Sequence, residues 1–265
     1  MDKIKLLIKY SVYRIRRKGA KGHGLHSPFI YELNRNVLNS REKHPEYREI
    51  LQYRRNLLKL NEWIRVDDQG AGSRVFASSL RKAGRIAATA GSSCSTGKLL
   101  FRLARHFNPG TVIELGTSLG FGTFCLARGA PEAKVHSIEA CPGQIRTARR
   151  ELAKAGIVNV ELAEQSFSTG LPELLGSIET ADMVYFDGDH RKESLLWQFS
   201  KCLAKATPDS VFIVADINWS AGMSEAWDML CNDPAVTVSV DLFHCGLLFF
   251  RKGVAKQHFV LGFSK

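Results

Sequence analysis

The feature that most constrains the fold is a glycine-rich stretch in the middle of the chain. A short apolar run, Val112-Ile113-Glu114-Leu115, is followed by glycines at positions 116, 120 and 122 and then by residues typical of a helix. A strand, a glycine loop and a helix in this order form the first unit of a doubly wound α/β fold. Because glycine has no Cβ, such a loop can bring backbone N–H groups close to a ligand. A tight turn that binds nothing is the alternative.

The rest of the chain alternates as a doubly wound fold should. The predicted strands are 111–115, 134–138, 158–162, 183–186, 211–215, a hairpin of 236–242 with 247–251, and an edge strand at 259–263. Helices are predicted between them at 142–155, 191–205 and 221–231. We therefore expect a Rossmann-like α/β sheet of about seven strands, mostly parallel with an antiparallel last strand, and a helical N-terminal segment.

Acidic residues and glycines collect where the predicted strands end. Glu114 and Gly116 close the first strand, Glu139 the second, Asp187 the fourth and Asp216 the fifth. In open α/β sheets, ligands bind outside the carboxyl ends of the strands. The clustering therefore predicts a ligand site at this edge, whatever the chain is related to.

The stretch Glu-Leu-Gly-Thr-Ser-Leu-Gly-Phe-Gly at 114–122 resembles motif I of class I S-adenosylmethionine-dependent methyltransferases. Within that class it is most similar to the catechol and caffeoyl-CoA type of O-methyltransferase, and the order of motifs extends the resemblance over about residues 85–251. The resemblance implies S-adenosyl-L-methionine as the cofactor, with Glu139 as the ribose ligand. It also implies a cofactor loop made of Glu114, Gly116, Thr117, Ser118, Gly120 and Gly122, and contacts to adenine from the stretch Glu164-Gln165-Ser166.

A second motif, Asp187-Gly188-Asp189-His190, resembles the signature that follows the fourth strand in these O-methyltransferases. The resemblance implies that Asp187 lies beside the methionine part of the cofactor and the reacting methyl group. His190 is a candidate general base, because imidazole titrates near neutral pH. A capping role at the start of helix 191–205 is the alternative. Together with Asp216, these two residues form the predicted catalytic set.

The residues after the fifth strand bear on a metal ion. The metal-dependent relatives have Asp-Asn there, with tryptophan three places after the aspartate, and aligning on Trp219 places Ala215 and Asp216 on that pair. One oxygen ligand is then missing, whereas a hard divalent cation prefers about six. We expect no tightly bound metal; Mg²⁺ held by Asp187, Asp216 and waters is the alternative.

The positive charge is concentrated at the N-terminus. Residues 1–60 hold 15 Lys/Arg and 5 Asp/Glu, a net of +10 out of +11 for the whole chain. We predict a basic helical segment over 1–72 that borders the substrate side, and a cofactor-binding domain over 73–265. Residues 4–18 fit an amphipathic helix with Ile4, Leu7, Ile8, Val12 and Ile15 on one face. We expect that face to dock on the main domain; an anionic membrane surface or a nucleic acid is the alternative partner.

Further helices are predicted at 29–39, 45–64, 74–83 and 98–107, with a boundary or hinge at 67–73. Residues 25–65 are expected to pack over the carboxyl ends of the strands, with His26 and Phe29 near the acceptor. The stretch 91–98 formally matches G-x-x-x-x-G-K. We reject a phosphate loop, because Leu99 replaces the required Ser/Thr and no strand directly precedes the match.

We expect a methyltransferase that acts on an oxygen of a small molecule. An RNA or protein methyltransferase, a binding module without catalysis and a nicotinamide dehydrogenase are the alternatives, the last disfavoured by the glycine spacing. Scattered cysteines without C-x-x-C spacing predict free thiols in the cytoplasm. The sequence contains no run of about 18 apolar residues, so we expect no membrane span. A homodimer is left open.

Overall fold

The structure is a computed structural model that describes residues 3–17, 27–66, 79–89 and 92–264. Its helices are α1 (Lys3–Arg16), α2 (Pro28–Leu33), which a π-helix (Asn34–Leu38) continues, α3 (Glu46–Leu58), α4 (Ala83–Thr89), α5 (Cys94–Phe107), α6 (Phe121–Gly129), α7 (Pro142–Lys154), α8 (Phe167–Ser177), α9 (Lys192–Leu203) and α10 (Ala221–Asn232). Its strands are β1 (Trp63–Arg65), β2 (Leu80–Lys82), β3 (Thr111–Leu115), β4 (Lys134–Glu139), β5 (Val160–Glu164), β6 (Met183–Phe186), β7 (Val211–Ala215), β8 (Val238–Asp241), β9 (Cys245–Phe249) and β10 (Gln257–Val260).

Eight of these strands form one sheet in the order β10-β8-β9-β7-β6-β3-β4-β5. β9 runs antiparallel to both of its neighbours, β7 and β8, whereas β3–β4, β4–β5, β6–β7 and β8–β10 are parallel pairs. The predicted doubly wound, mostly parallel sheet is confirmed. The sheet has eight strands and not about seven, because the predicted edge strand is present as β10, two residues earlier than expected and parallel to β8.

The chain divides into two compact units, which we call the central unit (residues 42–178) and the terminal unit (residues 1–41 with 179–264). In the central unit, the apolar residues of β3 are buried, as expected for a strand covered on both faces. Helix α5 begins at a Ser93 N-cap, whose hydroxyl accepts a hydrogen bond from the Thr96 N–H at 3.1 Å. Tyr53 of α3 stacks on Phe124 of α6 with ring centroids 4.2 Å apart.

In the terminal unit, every residue of β6, β7 and β9 is buried. The N-terminal helix α1 belongs to this unit and packs against it through tyrosines. The rings of Tyr10 and Tyr13 contact Phe243 with centroids 4.9 and 5.2 Å apart. The Tyr13 hydroxyl donates a hydrogen bond to the Leu261 carbonyl at 2.5 Å. A polar anchor at the tip of a buried ring thus fixes the position of the helix.

The structure corrects several predicted boundaries. The helix predicted at 45–64 ends at Leu58, and residues 63–65 form β1 instead. The helix predicted at 74–83 is wrong in its described part, because Leu80–Lys82 is a strand that pairs with β1. Pairing between distant segments overrides local helix propensity there. The third strand lies two residues later than predicted, and helices α4 and α8 were not predicted.

Some predictions lie outside the described residues, namely His26 and the hinge at 67–73. The division at residue 72 stays a prediction. In the stretch for which we rejected a phosphate loop, Cys94–Lys98 form the start of helix α5. All six cysteines are free thiols.

The packing of β9 against α10 provides a test of this fold. A Cβ added at Gly246 would overlap the indole ring of Trp227. Gly246→Ala should therefore lower the free energy of unfolding by about 1–3 kcal/mol, the usual range for overpacking. Urea unfolding followed by circular dichroism measures the change.

Gly176→Ala is the matched control, because a Cβ at that helical position meets no atom within 4 Å. It should leave the stability unchanged or raise it by up to about 1 kcal/mol, since alanine is the better helix former. Equal midpoints for Gly246→Ala and the unaltered protein would contradict the packing described for β9.

Candidate functional site

The glycine loop that follows β3 has an unusual backbone. Gly116, Ser118 and Gly120 have φ angles of 107°, 49° and 82°, in the left-handed half of conformational space. The loop is held at both ends, since the Gly116 N–H donates to the Ile138 carbonyl at 3.0 Å and the Gly120 N–H to the Thr117 carbonyl at 2.8 Å. Gly120 is the N-cap of α6, and Gly122 lies buried in its first turn. The loop thus carries backbone conformations that a ligand-binding turn requires.

The carboxylate of Glu139 joins this loop to the end of β4. One oxygen accepts the N–H of Ser118 and the other the N–H of Cys141, both at 2.9 Å. The side chain is half-buried. Each carboxylate oxygen has a second lone pair, so the group can also accept hydrogen bonds from the two hydroxyls of a ribose. The predicted ribose ligand therefore lies beside the predicted cofactor loop.

Glu114 lies beneath the loop in a buried network of hydroxyl groups. Its carboxylate accepts hydrogen bonds from Ser137, at 2.6 Å, and from Thr123. Ser137 also contacts the hydroxyl of Thr117 at 2.6 Å. Burial raises the pKa of Glu114 to about 7. The Glu114 side chain thus supports the loop from beneath, through hydrogen bonds to hydroxyl groups inside the protein.

Gln165 and Ser166, the predicted adenine contacts, follow β5 and lead into α8. The Gln165 amide donates to Glu173 at 2.7 Å. Ser166 is the N-cap of α8, and its hydroxyl contacts those of Ser168 and Thr169 at 2.8 and 2.9 Å. Both side chains have local structural partners, and their contact with a cofactor stays a prediction.

Helix α3 is a neighbour of the glycine loop that sequence reasoning only partly located. A Cβ at Gly120 would lie 3.2 Å from the Tyr53 hydroxyl, and the Arg54 guanidinium lies 5.1 Å from the centroid of the Phe121 ring. Part of the segment 25–65 thus packs beside the start of α6. Tyr53 and Arg54 are both among the buried residues of α3.

In the terminal unit, the motif Asp187-Gly188-Asp189-His190 follows β6 directly. Asp189 has a φ of 49° and forms a two-point ion pair with Arg191, at 2.5 Å to Nε and 2.6 Å to Nη2. The hydrogen bond between Arg191 and Asp189 raises the pKa of Arg191. The pair fixes the turn that carries Asp187 and His190, and sequence reasoning missed Arg191 in this role.

His190 faces Asp216 across the ends of β6 and β7. Its Nε2 lies 3.6 Å from the Asp216 carboxylate, and its ring centroid lies 5.8 Å from that of Trp219. The residue at the N-cap of α9 is Arg191. His190 therefore does not occupy the capping position, and its acid–base role stays a prediction. Asp216 has a φ of 53°, and its N–H donates to the His244 carbonyl at 2.6 Å.

Helix α1 reaches the same loop from the N-terminus. The Lys9 ammonium donates to Ser224 at 2.7 Å and contacts the side-chain oxygen of Asn218 at 3.4 Å. Asn218 in turn donates to the Phe243 carbonyl at 2.8 Å. Lys9 and Asn218 were not predicted here, because their proximity depends on a contact between the two ends of the chain.

The expectation that Phe29 lies near the acceptor is wrong. Its ring packs on Phe249 at 4.9 Å and under the Arg251 guanidinium at 4.4 Å. Phe249 pairs with Val211, the first residue of β7. Phe29 therefore lies at the amino end of that strand, opposite to Asp216.

The structure shows the surroundings of the residues that bear on a metal ion. Among the described residues, no group of three or more His, Cys, Asp or Glu side chains is placed to hold a metal ion. Ala215, where the metal-dependent relatives supply an oxygen, is the last and buried residue of β7. Independence from a metal stays a prediction.

The sheet order and the loop after β3 define a Rossmann-like methyltransferase fold. Residues 113–217, from β3 to the turn after β7, match the model of a family described as a methyltransferase domain. This part of the chain is therefore similar to a methyltransferase domain, and the resemblance to class I methyltransferases of the catechol and caffeoyl-CoA type is confirmed as a resemblance.

Two curated relatives are catechol O-methyltransferases. The enzyme of Mycobacterium tuberculosis is 33% identical over 141 residues, which are 52% of this chain and 61% of that protein. Catechol O-methyltransferase B of Danio rerio is 35% identical over 104 residues, 38% of this chain and 39% of that protein. The chain thus spans less than two thirds of the length of the curated relatives it matches.

Solved structures show the same fold. An O-methyltransferase of Streptomyces achromogenes involved in tomaymycin synthesis, in complex with S-adenosylmethionine, has a TM-score of 0.57 at 20% identity, over 84% of this chain and 95% of that one. A methyltransferase of Podospora anserina bound to S-adenosylhomocysteine has a TM-score of 0.58 at 13% identity, over 95% and 98% of the two chains.

The buried Glu114 network predicts a pH dependence of stability. The pKa of Glu114 is about 7 in the folded protein, above the ordinary value of 4.5, so the folded state holds its proton to higher pH. The free energy of unfolding should therefore fall by about 3 kcal/mol as the pH rises from about 4.5 to above 7. In the variant Glu114→Gln, this fall in the free energy of unfolding with rising pH should disappear.

Urea unfolding at a series of pH values measures this slope. Glu164→Gln is the matched control, because Glu164 is an exposed carboxylate at the end of β5 and should leave the slope unchanged. A Glu114→Gln slope equal to that of the unaltered protein would show that Glu114 titrates as an exposed carboxylate does.

Proposed function

We propose that this protein transfers a methyl group from S-adenosyl-L-methionine to an oxygen of a small-molecule acceptor. The observation that carries the proposal is the Glu139 carboxylate, which lies at the end of β4 and holds the Ser118 N–H of the glycine loop at 2.9 Å. A strand-end carboxylate next to a glycine loop is the arrangement that ribose recognition requires. The catechol O-methyltransferases among the relatives support the choice of an oxygen acceptor.

The residues present fit this cofactor. Gly116, with a φ of 107°, leaves the backbone open where a side chain would stand. When bound, S-adenosylmethionine supplies a methyl group on a sulfonium, which is already a strong electrophile. The protein then has to bind the cofactor, orient the acceptor oxygen in line with the methyl group and accept the proton of that oxygen.

We infer that the terminal unit provides the proton acceptor. His190 Nε2 lies 3.6 Å from the Asp216 carboxylate, which is close enough to orient the imidazole toward the acceptor. Trp219 lies beside the imidazole and restricts its orientation. Asp187 precedes His190 on the turn after β6, and we propose that it orients the acceptor at the methyl group.

The cofactor assignment predicts the effect of removing Glu139. Glu139→Ala should weaken the binding of S-adenosylhomocysteine by about 1.5–3 kcal/mol, the range for hydrogen bonds to a charged group. Isothermal titration calorimetry measures the affinity.

Glu132→Ala is the matched control, since it removes an exposed carboxylate from the turn before β4, away from the strand end that carries Glu139. Unchanged affinity for S-adenosylhomocysteine in Glu139→Ala would contradict the assignment of Glu139 as the ribose ligand. Tight binding of NADH, with none of S-adenosylhomocysteine, would favour a dehydrogenase.

The acid–base assignment predicts a separation of kcat from cofactor affinity. His190→Gln should lower kcat by about 10²–10⁴-fold, the usual contribution of a general base, and leave the affinity for S-adenosylhomocysteine nearly unchanged. Catechol serves as the acceptor probe, and the pH profile of kcat is measured from tritiated methyl transfer.

In the His190→Gln variant, the part of the pH profile due to the imidazole should be lost. A full rate with the original profile would show that the acceptor loses its proton elsewhere. The same assay with and without EDTA tests the predicted independence from a divalent cation.

A further inference from the structure

Helix α1 is attached to the terminal unit by one of its faces. Tyr13 is buried, and its hydroxyl bonds the Leu261 carbonyl. Tyr10 packs on Phe243, and Lys9 donates to Ser224. These three side chains fall on one side of the helix, as their spacing of one, three and four residues requires.

The opposite side of α1 carries an apolar stripe that faces away from the protein. At about 100° per residue, Leu7, Ile8 and Ile15 lie on the side opposite Tyr13, and Val12 lies at the edge of that side, 39% exposed. Their exposed fractions are large, at 65% for Leu7, 58% for Ile8 and 83% for Ile15. The prediction that this face docks on the main domain is therefore wrong. We call Leu7, Ile8, Val12 and Ile15 the outer stripe.

The outer stripe has positive charge on both sides. Arg14 and Arg16 are exposed and flank it on opposite edges. The charge extends further along the sequence, because residues 3–31 contain eight Lys/Arg and no Asp/Glu. A partner that covers the stripe must therefore offer apolar groups and negative charge together.

We propose that the outer stripe of α1 binds the surface of an anionic lipid membrane. The acyl chains would cover Leu7, Ile8 and Ile15, while the lipid phosphates would pair with the flanking arginines. The helix has 14 residues and would lie in the plane of the interface. Across the described part of the chain, no helix has the length and hydropathy of a membrane span.

Other partners fit the stripe less well. A nucleic acid would satisfy the arginines, but its phosphate backbone offers no cover for exposed leucine and isoleucine. A second copy of the chain would cover the stripe, but it would bring two strongly positive segments together. Charge complementarity therefore selects the anionic membrane, and this inference does not depend on the proposed enzymatic activity.

Vesicle sedimentation with the full chain tests the proposal. The protein should bind vesicles of phosphatidylcholine mixed with phosphatidylglycerol. Its binding to vesicles of phosphatidylcholine alone should be weaker by at least about tenfold. The variant Leu7→Gln/Ile8→Gln/Ile15→Gln should lose at least about tenfold in binding. The variant Arg14→Gln/Arg16→Gln should lose about fivefold for each charge removed.

Val158→Gln is the matched control, because it replaces an apolar residue that is 93% exposed on the central unit. It should bind vesicles as the unaltered protein does. Circular dichroism and the Tm of each variant show that the fold is kept, since all substituted side chains are exposed.

Three results would overturn the proposal. The first is a lack of binding to anionic vesicles, or binding that the triple glutamine variant keeps in full. The second is a dimer in analytical ultracentrifugation that only the triple variant dissociates, which would assign the stripe to a second copy. The third is RNA binding that the arginine variant loses and the triple variant keeps.

Discussion

The candidate cofactor site depends on one carboxylate that joins two turns. Glu139 ends β4, and its two oxygens hold the backbone N–H groups of Ser118, in the loop after β3, and of Cys141, in the turn before α7. Ser118 has a φ of 49°, which is unfavourable for a residue with a side chain. Its hydrogen bond to a charged acceptor, stronger than one between neutral groups, offsets that strain. Without Glu139, the loop would lose the contact that selects this conformation.

Two glutamates of neighbouring strands have different environments, which suit them to different tasks. Glu114 is buried among the hydroxyls of Thr123 and Ser137, and burial raises its pKa. Glu139 is only half-buried and is held by backbone N–H groups. A polar ligand can reach the second carboxylate and would have to displace internal hydrogen bonds to reach the first. The resemblance alone assigned both to the cofactor; the geometry distinguishes support from recognition.

Much of the fold could be predicted because buried parallel strands are continuous apolar runs. β3, β6 and β7 occupy the predicted residues, and each is bounded by turn-forming residues on the carboxyl side. The pairing of Trp63–Arg65 with Leu80–Lys82 could not be predicted, because strands of three residues form only through a distant partner. For the same reason, the contact of Lys9 with Asn218 and Ser224 was missed. Motif spacing located His190 and Asp216, but only the folded turns show that the two side chains face each other.

Helix α1 shows why hydrophobic periodicity alone cannot tell which face of a helix is buried. The sequence pattern groups Leu7, Ile8, Val12 and Ile15, and burial of apolar surface favours docking on that side. The structure docks the other side, where Tyr10 and Tyr13 bring large rings and a hydroxyl that finds the Leu261 carbonyl. A tyrosine buries a larger area than an aliphatic side chain and also satisfies a buried carbonyl. A helix with two such faces, one aromatic and one aliphatic, can attach to its own protein and still present an apolar surface to a partner.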